Sequence, residues 1–390
     1  MPTRDLASER DSTMPLFASC APGLETMLLN EIRGLELGEN AVSEPGGVSF
    51  SGTRSDMMRA NLCLGLALHV LVRIATFPAR HLQRLERECG KIDWSRWLPS
   101  DACLRIRAHS RRSRLYHTGA IVQRVRGGLA RSINEREPGV DGEFIPLQVR
   151  LHRDVCTISI GTSGKSLYKR GWKEAVVKSP LREDLARALL IASGWRPGMV
   201  LVDPLMGSGT IVIEAARWAR GLAPGLDRRF SFMDGPLHDE STFAKLRQRC
   251  LDESVPSSEN LAPIHGSDRD TGAVAIAEAN ATRAGVAADL RISHCALSRV
   301  ELPLAKQGVI VTNPPYGRRV GTPKTLRNLY SALGAQVRGQ GSWKIGLLSD
   351  DPRLAAATGL RLRSQFMTDL GGLKVRAFIG PVDDSEETPI

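Results

Sequence analysis

The sequence predicts an α/β protein whose C-terminal half is an open parallel sheet covered by helices on both faces. From residue 181 onward, strand patterns such as MVLVDP, GVIVTNPP and WKIGLLSD alternate with helix patterns, which is typical of a doubly wound sheet. The first of these strands runs into a tight glycine turn and a helix start, LVDPLMGSGTIVIEAA. The N-terminal half alternates less regularly and predicts two smaller α+β units.

These patterns divide the chain of 390 residues into five segments. We expect disorder over 1–13, a first α+β unit over 14–78, a second over 79–170, a linker over 171–180 and the parallel sheet over 181–385. In the first unit, Ser55 is the expected N-cap of a helix. In the second, a helix is expected from about Tyr116 to Ile133. Ser179 and Pro180 are the expected start of the first helix of the sheet region, and the acidic tail DDSEETPI is expected to be frayed.

The composition is that of a soluble globular protein, with 42% hydrophobic and 24% charged residues. No apolar run is long enough for a membrane helix, and the N-terminus has no secretory signal pattern, so the expected location is the cytoplasm. Seven cysteines are scattered without CxxC spacing, which favours neither disulfides nor a metal site. The sequence indicates no oligomeric state.

The net charge of +11 indicates a polyanionic partner. Between Ala102 and Asn134 there are eight arginines and no acidic residue, whereas a merely solvated face usually mixes both signs. The candidate nucleic-acid contacts are Arg105, Arg107, Arg111, Arg112, Arg114, Lys169 and Arg170.

The glycine turn predicts a nucleotide-like cofactor at a helix N-terminus. The third glycine of GxGxxG is missing, and the next acid after a strand, Asp268, lies far beyond the spacing of nicotinamide enzymes. Asp203 suits the ammonium group of a methionine, so we infer S-adenosylmethionine, with Asp268 on the ribose hydroxyls. The candidate cofactor residues in these stretches are Asp203, Pro204, Gly207, Ser208, Gly209, Thr210 and Asp268.

The stretch TNPPY, 312–316, predicts a clamp for a conjugated amine. Methyl transfer from a sulfonium needs a nitrogen lone pair aligned with the methyl group. Asn313 can accept one N–H with its side-chain oxygen and the carbonyl of Pro314 the other, while Pro315 helps to fix that carbonyl. Tyr316 offers a face on which a base can stack. These four residues are the candidate catalytic set.

The chain resembles the THUMP-domain RNA guanine-N2 methyltransferases from about residue 15 to 380. The stretches DPLMGSGT, GSDRD and TNPPYG are similar to amino-group methyltransferases, and LFASCAPGLETML, SGKSLYKRGW and SPLREDLARALL to this branch. The resemblance implies a ferredoxin-like domain, an RNA-gripping THUMP domain and a Rossmann-like class I sheet of seven strands, the last antiparallel. It implies N2-methylation of guanine in 23S rRNA or tRNA. The likeness is to the N-terminal half of the bifunctional bacterial rRNA enzymes, and the second methyltransferase half has no expected counterpart here.

One position departs from the family pattern. Where the family usually has an aspartate that reads the adenine amino group, this sequence has Cys295. The resemblance thus implies Cys295 and the following Ala296 as further candidate cofactor residues. A thiol is a weaker acceptor than a carboxylate. We therefore expect the binding free energy of the cofactor to be less favourable by about 1 to 2 kcal/mol.

Other functions stay open on the residues alone. The TNPPY clamp also suits adenine N6, cytosine N4 and glutamine amides. A non-catalytic RNA-binding or assembly factor with a weakened cofactor site is the alternative from another class.

Overall fold

The computed structural model describes residues 13–136, 144–174, 181–256, 261–305, 307–316, 322–338 and 342–381. These residues form two compact units. The first takes its described residues from 13–20, 28–167 and 228–249, and the second from 21–27, 168–227 and 250–381. Residues 1–12 of the expected disordered segment, the acidic tail, Ser179 and Pro180, and most of the expected linker lie outside the described residues.

Fourteen strands and ten helices are found in the described part of the chain. In order they are β1 (Met14–Cys20), α1 (Glu25–Gly34), β2 (Glu39–Glu44), β3 (Gly47–Gly52), α2 (Arg54–Cys63), β4 (Ala67–Pro78), α3 (Leu82–Cys89), β5 (Leu104–Arg111), α4 (Thr118–Leu129), β6 (Ile145–His152), β7 (Val155–Gly161), α5 (Glu183–Ala192), β8 (Val200–Asp203), α6 (Thr210–Ala219), α7 (Glu240–Asp252), β9 (Ile264–Asp268), α8 (Thr271–Arg283), β10 (Leu290–His294), β11 (Gln307–Thr312), α9 (Pro323–Val337), β12 (Ser342–Ser349), α10 (Pro352–Ala356), β13 (Arg363–Leu370) and β14 (Leu373–Gly380). Short 3₁₀ turns lie at Trp94–Arg96, Ser231–Asp234, Ala287–Asp289 and Leu297–Arg299.

The first unit contains one continuous sheet in the order β2-β3-β1-β4-β7-β6-β5. Its pairs are antiparallel except β5 and β6, which run parallel. Because β4 pairs with β7, the two N-terminal units that the sequence suggests share a sheet, and residue 78 is the last residue of the joining strand. Behind the β5 end of the sheet, α3 and α4 pack around a core that includes Trp94, Ile121, Val125 and Leu147.

Two local predictions in this unit need correction. The N-cap of α2 is Thr53, not Ser55, because Thr53 accepts from the backbone N–H of Asp56 and the Asp56 carboxylate accepts from the backbone N–H of Thr53. This reciprocal pair is a capping box. The arginine-bearing helix α4 is also shorter than expected, since it spans Thr118–Leu129.

The second unit contains a seven-stranded sheet in the order β10-β9-β8-β11-β12-β14-β13. The five strands from β10 to β12 are parallel, and β14 is antiparallel to both β12 and β13. The expected class, a doubly wound sheet of seven strands with the last antiparallel, is confirmed. The sequence patterns did not indicate β13, whose burial pattern shows only two buried residues.

Helices cover both faces of this sheet. On β12, Ile345 and Leu347 point into a core with Leu326 and Tyr330 of α9. Gly346 points the other way, where an added Cβ would lie 1.9 Å from the Ser193 hydroxyl at the end of α5. Such close approach requires glycine, and it lets α5 pack directly on the strand.

Candidate active site at the carboxyl edge of the parallel sheet

Five parallel strands end at the same edge of the second unit's sheet. The residues at or just after those ends are Asp203 (β8), Asp268 (β9), Cys295 (after β10), Asn313 (after β11) and Asp350 (after β12). In open α/β sheets, ligands bind outside the carboxyl ends of the strands where the strand order reverses. The reversal here lies between β8 and β11, which are the strands that carry Asp203 and Asn313.

Asp203 is a buried carboxylate, with 1% of its surface exposed. Its Oδ1 accepts a 2.7 Å hydrogen bond from the Thr312 hydroxyl and a 3.2 Å bond from the Leu205 backbone N–H. Burial raises the pKa of Asp203 to about 7, with a smaller contribution from the charge of Asp268, although the two hydrogen bonds lower it. A cationic ligand would stabilise the ionised form, so the residue fits an ammonium group.

The glycine turn after β8 is held by its neighbours. Gly207 donates its backbone N–H to Asp268 Oδ2 at 3.0 Å, and the Ser208 carbonyl accepts from Asn280. Gly209 is the N-cap of α6 with φ of +80°, a left-handed backbone conformation that residues other than glycine rarely adopt. Pro204, Ser208 and Thr210 are buried, while Gly207 is half-buried. The Gly207 N–H is therefore used within the protein.

Asp268 lies across the turn at the end of β9. Besides the bond from Gly207, its Oδ1 accepts a 3.0 Å bond from the Asp270 backbone N–H. Both oxygens are oriented by backbone donors, and each keeps a lone pair for a further donor. That arrangement fits the hydroxyl pair of a ribose.

Cys295 lies next to Asp268, as its backbone N–H donates to the Asp268 carbonyl at 3.0 Å. Cys295 is half-buried, and its thiol donates to the carbonyl oxygen of Ala296 at 3.5 Å. Ala296 is half-buried too. Cys295 therefore stands at the expected position beside the third strand end, with a weak donor and acceptor in place of a carboxylate.

The TNPPY corner follows β11 directly. Asn313 is half-buried, and its Oδ1 is a buried acceptor without a hydrogen-bond partner among the described residues. Pro314 is buried and Pro315 half-buried. Tyr316 packs against the apolar core of the second unit, and burial, together with the charge of Asp350, raises its pKa to about 12. The phenol is therefore neutral at physiological pH.

Sequence reasoning missed three residues of this region. Thr312 was treated as part of an apolar strand. Asp350 follows the apolar run KIGLLS, and an acid directly after a strand was a signal that could have found it. Lys173 donates to the Thr210 hydroxyl at 2.8 Å and to the Leu181 carbonyl, and burial lowers its pKa; no local pattern indicated this contact.

The predicted nucleic-acid residues are largely exposed in the first unit. Arg105, Arg107 and Arg111 alternate on the exposed face of β5. The parallel register with β6 pairs His109 with Arg150 and Arg111 with His152, so further basic side chains share that face. Arg112 and Arg114, in the connection after β5, are exposed too. Arg114 contacts Asp154 through its backbone N–H.

Lys169 and Arg170 belong to the second unit and differ from each other. Lys169 is exposed. Arg170 is fully buried, and its Nε lies 3.3 Å from Glu214 Oε1. The prediction that Arg170 contacts nucleic acid is therefore wrong, because the side chain is enclosed with its carboxylate partner.

Neither a membrane span nor a metal cluster is found in the part of the chain that the structure describes. No helix there is long and apolar enough to cross a bilayer. The same residues contain no group of three or more His, Cys, Asp or Glu side chains arranged to hold a metal ion.

Three families match consecutive parts of the chain. The RlmL ferredoxin-like domain matches residues 15–71, the THUMP domain residues 79–161, and the UPF0020 domain, described as RMKL-like methyltransferase domain, residues 170–374.

Curated relatives match over almost the whole chain. The ribosomal RNA large subunit methyltransferase K/L of Syntrophotalea carbinolica is 35% identical over 94% of this chain and 53% of its own length. A putative RNA methyltransferase of Synechocystis sp. is 32% identical over 95% of this chain and 97% of its own. The chain thus spans about half the length of the K/L relative.

Solved structures share the architecture. A possible methylase from Clostridium difficile 630 has a TM-score of 0.86 with 30% identity, covering 96% of this chain and 99% of that one. A putative methyltransferase complexed with SAH has a TM-score of 0.84 with 27% identity, covering 94% and 97%.

Proposed function

The chain belongs to the UPF0020 family of RMKL-like methyltransferases, and we propose that it methylates the exocyclic N2 of a guanine in structured RNA. The methyl donor is S-adenosylmethionine, and the RNA is 23S rRNA, with tRNA as the second choice. The wording of the relatives' names supports RNA in general and large-subunit rRNA in particular.

The cofactor supplies the electrophilic methyl group, and the residues at the carboxyl edge fit it. Asp203 is a buried carboxylate that an ammonium would stabilise in its ionised form. Asp268 accepts ribose hydroxyls with oxygens that Gly207 and Asp270 already orient. A solved relative that is complexed with SAH supports S-adenosylmethionine as the methyl donor.

The acceptor amine is held at the TNPPY corner. Asn313 Oδ1 accepts one N–H and the Pro314 carbonyl the other, so the nitrogen lone pair is left free to attack. Tyr316 stacks on the base. No strong base is needed, because the nitrogen loses its proton after it has gained the methyl group.

RNA is bound through phosphates by the exposed basic face of the first unit. Arg105, Arg107 and Arg111 on β5 and Arg150 on β6 lie on one side of the sheet. Such contacts position a nucleic acid without reading its sequence.

The observation that carries the proposal is the state of Asn313. Its side-chain oxygen is buried and lacks a partner among the described residues, and such an orphan costs about 1 to 3 kcal/mol unless a ligand satisfies it. Its neighbour Thr312 is bonded to the proposed ammonium site at Asp203.

Incubation with methyl-labelled S-adenosylmethionine and unmodified RNA, DNA and protein tests the function. We expect label in RNA, recovered as N2-methylguanosine by nucleoside mass spectrometry. Label in N6-methyladenosine, N4-methylcytidine or a glutamine side chain would replace the substrate assignment. The absence of label from every fraction would favour a non-catalytic RNA-binding factor.

A further inference from the structure

We propose that Asp350 is the residue that selects guanine, by accepting the N1–H that lies beside the N2 amine. This inference rests on the function proposed above and names a specificity determinant at the same site. It rests on the position of Asp350, on the hydrogen bonds of its neighbour Asp351, and on a buried Asp350 oxygen that has no hydrogen-bond partner among the described residues.

Asp350 is placed at the site by strand register. β12 runs parallel to β11, with Thr312 opposite Leu347. Continued by one residue, this register sets Asn313 level with Leu348, and Asp350 follows two residues further along, directly after β12 at the same edge of the sheet. In our proposal Asn313 holds the amine. Asp350 lies at the end of the strand next to the one that Asn313 follows.

The adjacent acid, Asp351, has a structural role in the fold. Asp351 Oδ1 accepts the Arg353 backbone N–H at 2.8 Å and caps α10. Its own N–H donates to the Ser349 hydroxyl. Asp350 Oδ1, by contrast, is buried without a hydrogen-bond partner in the described parts of the chain.

Asp350 also lies close to the proposed stacking residue. Its negative charge, after burial, contributes to the raised pKa of Tyr316. It acts in the same direction on Tyr330 of α9, where burial is again the larger cause. A base stacked on Tyr316 would thus present its edge near this carboxylate.

The chemistry of the bases makes such a carboxylate selective. Guanine has two adjacent donors, N1–H and the N2 amine, on one edge. Adenine has an acceptor at N1 and cytosine has one at N3, so a carboxylate facing either atom would meet a lone pair. A buried acceptor left unpaired rejects the wrong ligand strongly, and Asp350 therefore favours guanine over both.

The test replaces the target guanine with 2-aminopurine, which keeps the 2-amino group but has an acceptor at N1. The probe is an RNA fragment of large-subunit rRNA around the guanine that the labelling experiment maps. The kcat/KM values for both RNAs are measured with the wild type, with Asp350→Asn and with Asp369→Asn, an exposed acid on β13 that serves as control.

We expect the wild type and the control to prefer guanine by on the order of 10- to 100-fold, as befits one charge-assisted hydrogen bond. In Asp350→Asn the preference is expected to shrink by about tenfold or more, since the amide can donate to N1 of 2-aminopurine. 2-Aminopurine also lacks the O6 of guanine, but that loss is the same for the wild type and for Asp350→Asn. The change in the ratio of the two kcat/KM values therefore reports the contact at N1.

An unchanged ratio in a folded Asp350→Asn protein that still methylates guanine overturns the role of Asp350 and leaves the proposed function intact. If the wild type shows no preference between the two RNAs, the role of Asp350 is also overturned. This result needs no variant, so it applies even if Asp350→Asn fails to fold. A wild type that methylates another base overturns both proposals together.

Discussion

The hydroxyl of Thr312 donates a 2.7 Å hydrogen bond to Oδ1 of Asp203. This bond joins the ends of β11 and β8, the strands on either side of the reversal in strand order. Because Thr312 directly precedes Asn313, the bond ties the proposed amine clamp to the proposed ammonium site. Both sides of the proposed methyl transfer therefore lie at one edge of the sheet.

Asp203 should make the stability of the protein depend on pH. Its pKa is raised from 3.8 to about 7 on folding, so its contribution to stability is full below the unfolded value and is lost as pH rises through about 7. Asp203→Asn removes that loss. In urea unfolding, we expect the stability of the variant relative to wild type to grow by about 2 kcal/mol between about pH 5 and about pH 8. Asn328→Ala, on the exposed side of α9, removes no titratable group and should give a difference that stays constant with pH. The same constancy in Asp203→Asn would refute the burial argument.

Asn313 should be essential to methylation and dispensable for cofactor binding. We expect Asn313→Ala to lower the rate of methyl transfer by on the order of 100-fold or more, because the amine loses its orientation. The affinity for S-adenosylhomocysteine, measured by calorimetry, should change by less than about threefold. Asn328→Ala, on the exposed side of α9, is the control. Activity of Asn313→Ala equal to that of the control would remove Asn313 from the clamp.

Any side chain at position 209 should destabilise the protein. Its φ is +80°, and an added Cβ would lie 3.0 Å from the Cβ of Ala277. We expect Gly209→Ala to lower the free energy of unfolding by about 1 to 3 kcal/mol. Gly119, in the first turn of α4, has no heavy atom within 4 Å of such a Cβ. Gly119→Ala should instead stabilise by about 0.5 to 1 kcal/mol, and equal effects of the two changes in denaturant titrations would contradict the account.

The arginines of β5 should set the salt dependence of RNA binding. Replacing Arg105, Arg107 and Arg111 with alanine should lower the slope of log K against log salt by about 0.9 for each phosphate that the protein no longer neutralises. As a control, Arg124 and Arg126 on α4 are also exposed but already pair with Glu86 and Glu135. Their alanine variants should keep the wild-type slope. If both sets lower the slope alike, the exposed face of β5 is not the distinct RNA surface.

Sequence patterns predicted the parallel sheet well, because its strands are short apolar runs bounded by glycine or acidic residues. The carboxyl-edge positions of Asp203, Asp268 and Asn313 follow from those strand ends. The shared N-terminal sheet could not be foreseen, since the pairing of β4 with β7 joins segments far apart in the chain.

Long-range contacts explain the other misses. No residue near Arg170 in the sequence indicates that its guanidinium pairs with Glu214, which lies 44 residues further along the chain. The basic stretch that contains Arg170 therefore predicts an exposed surface. Asp350 resembles any acid at a strand end. It differs from Asp351 because Asp351 caps α10, whereas the Asp350 Oδ1 is buried without a hydrogen-bond partner among the described residues.

A crystal structure of the protein with S-adenosylhomocysteine tests the central claim most directly. We predict that the ammonium of the ligand lies on Asp203, that its ribose hydroxyls contact Asp268, and that its sulfur faces the side-chain oxygen of Asn313. A ligand bound with its amino-acid end away from Asp203, or with its sulfur turned from Asn313, would contradict the account.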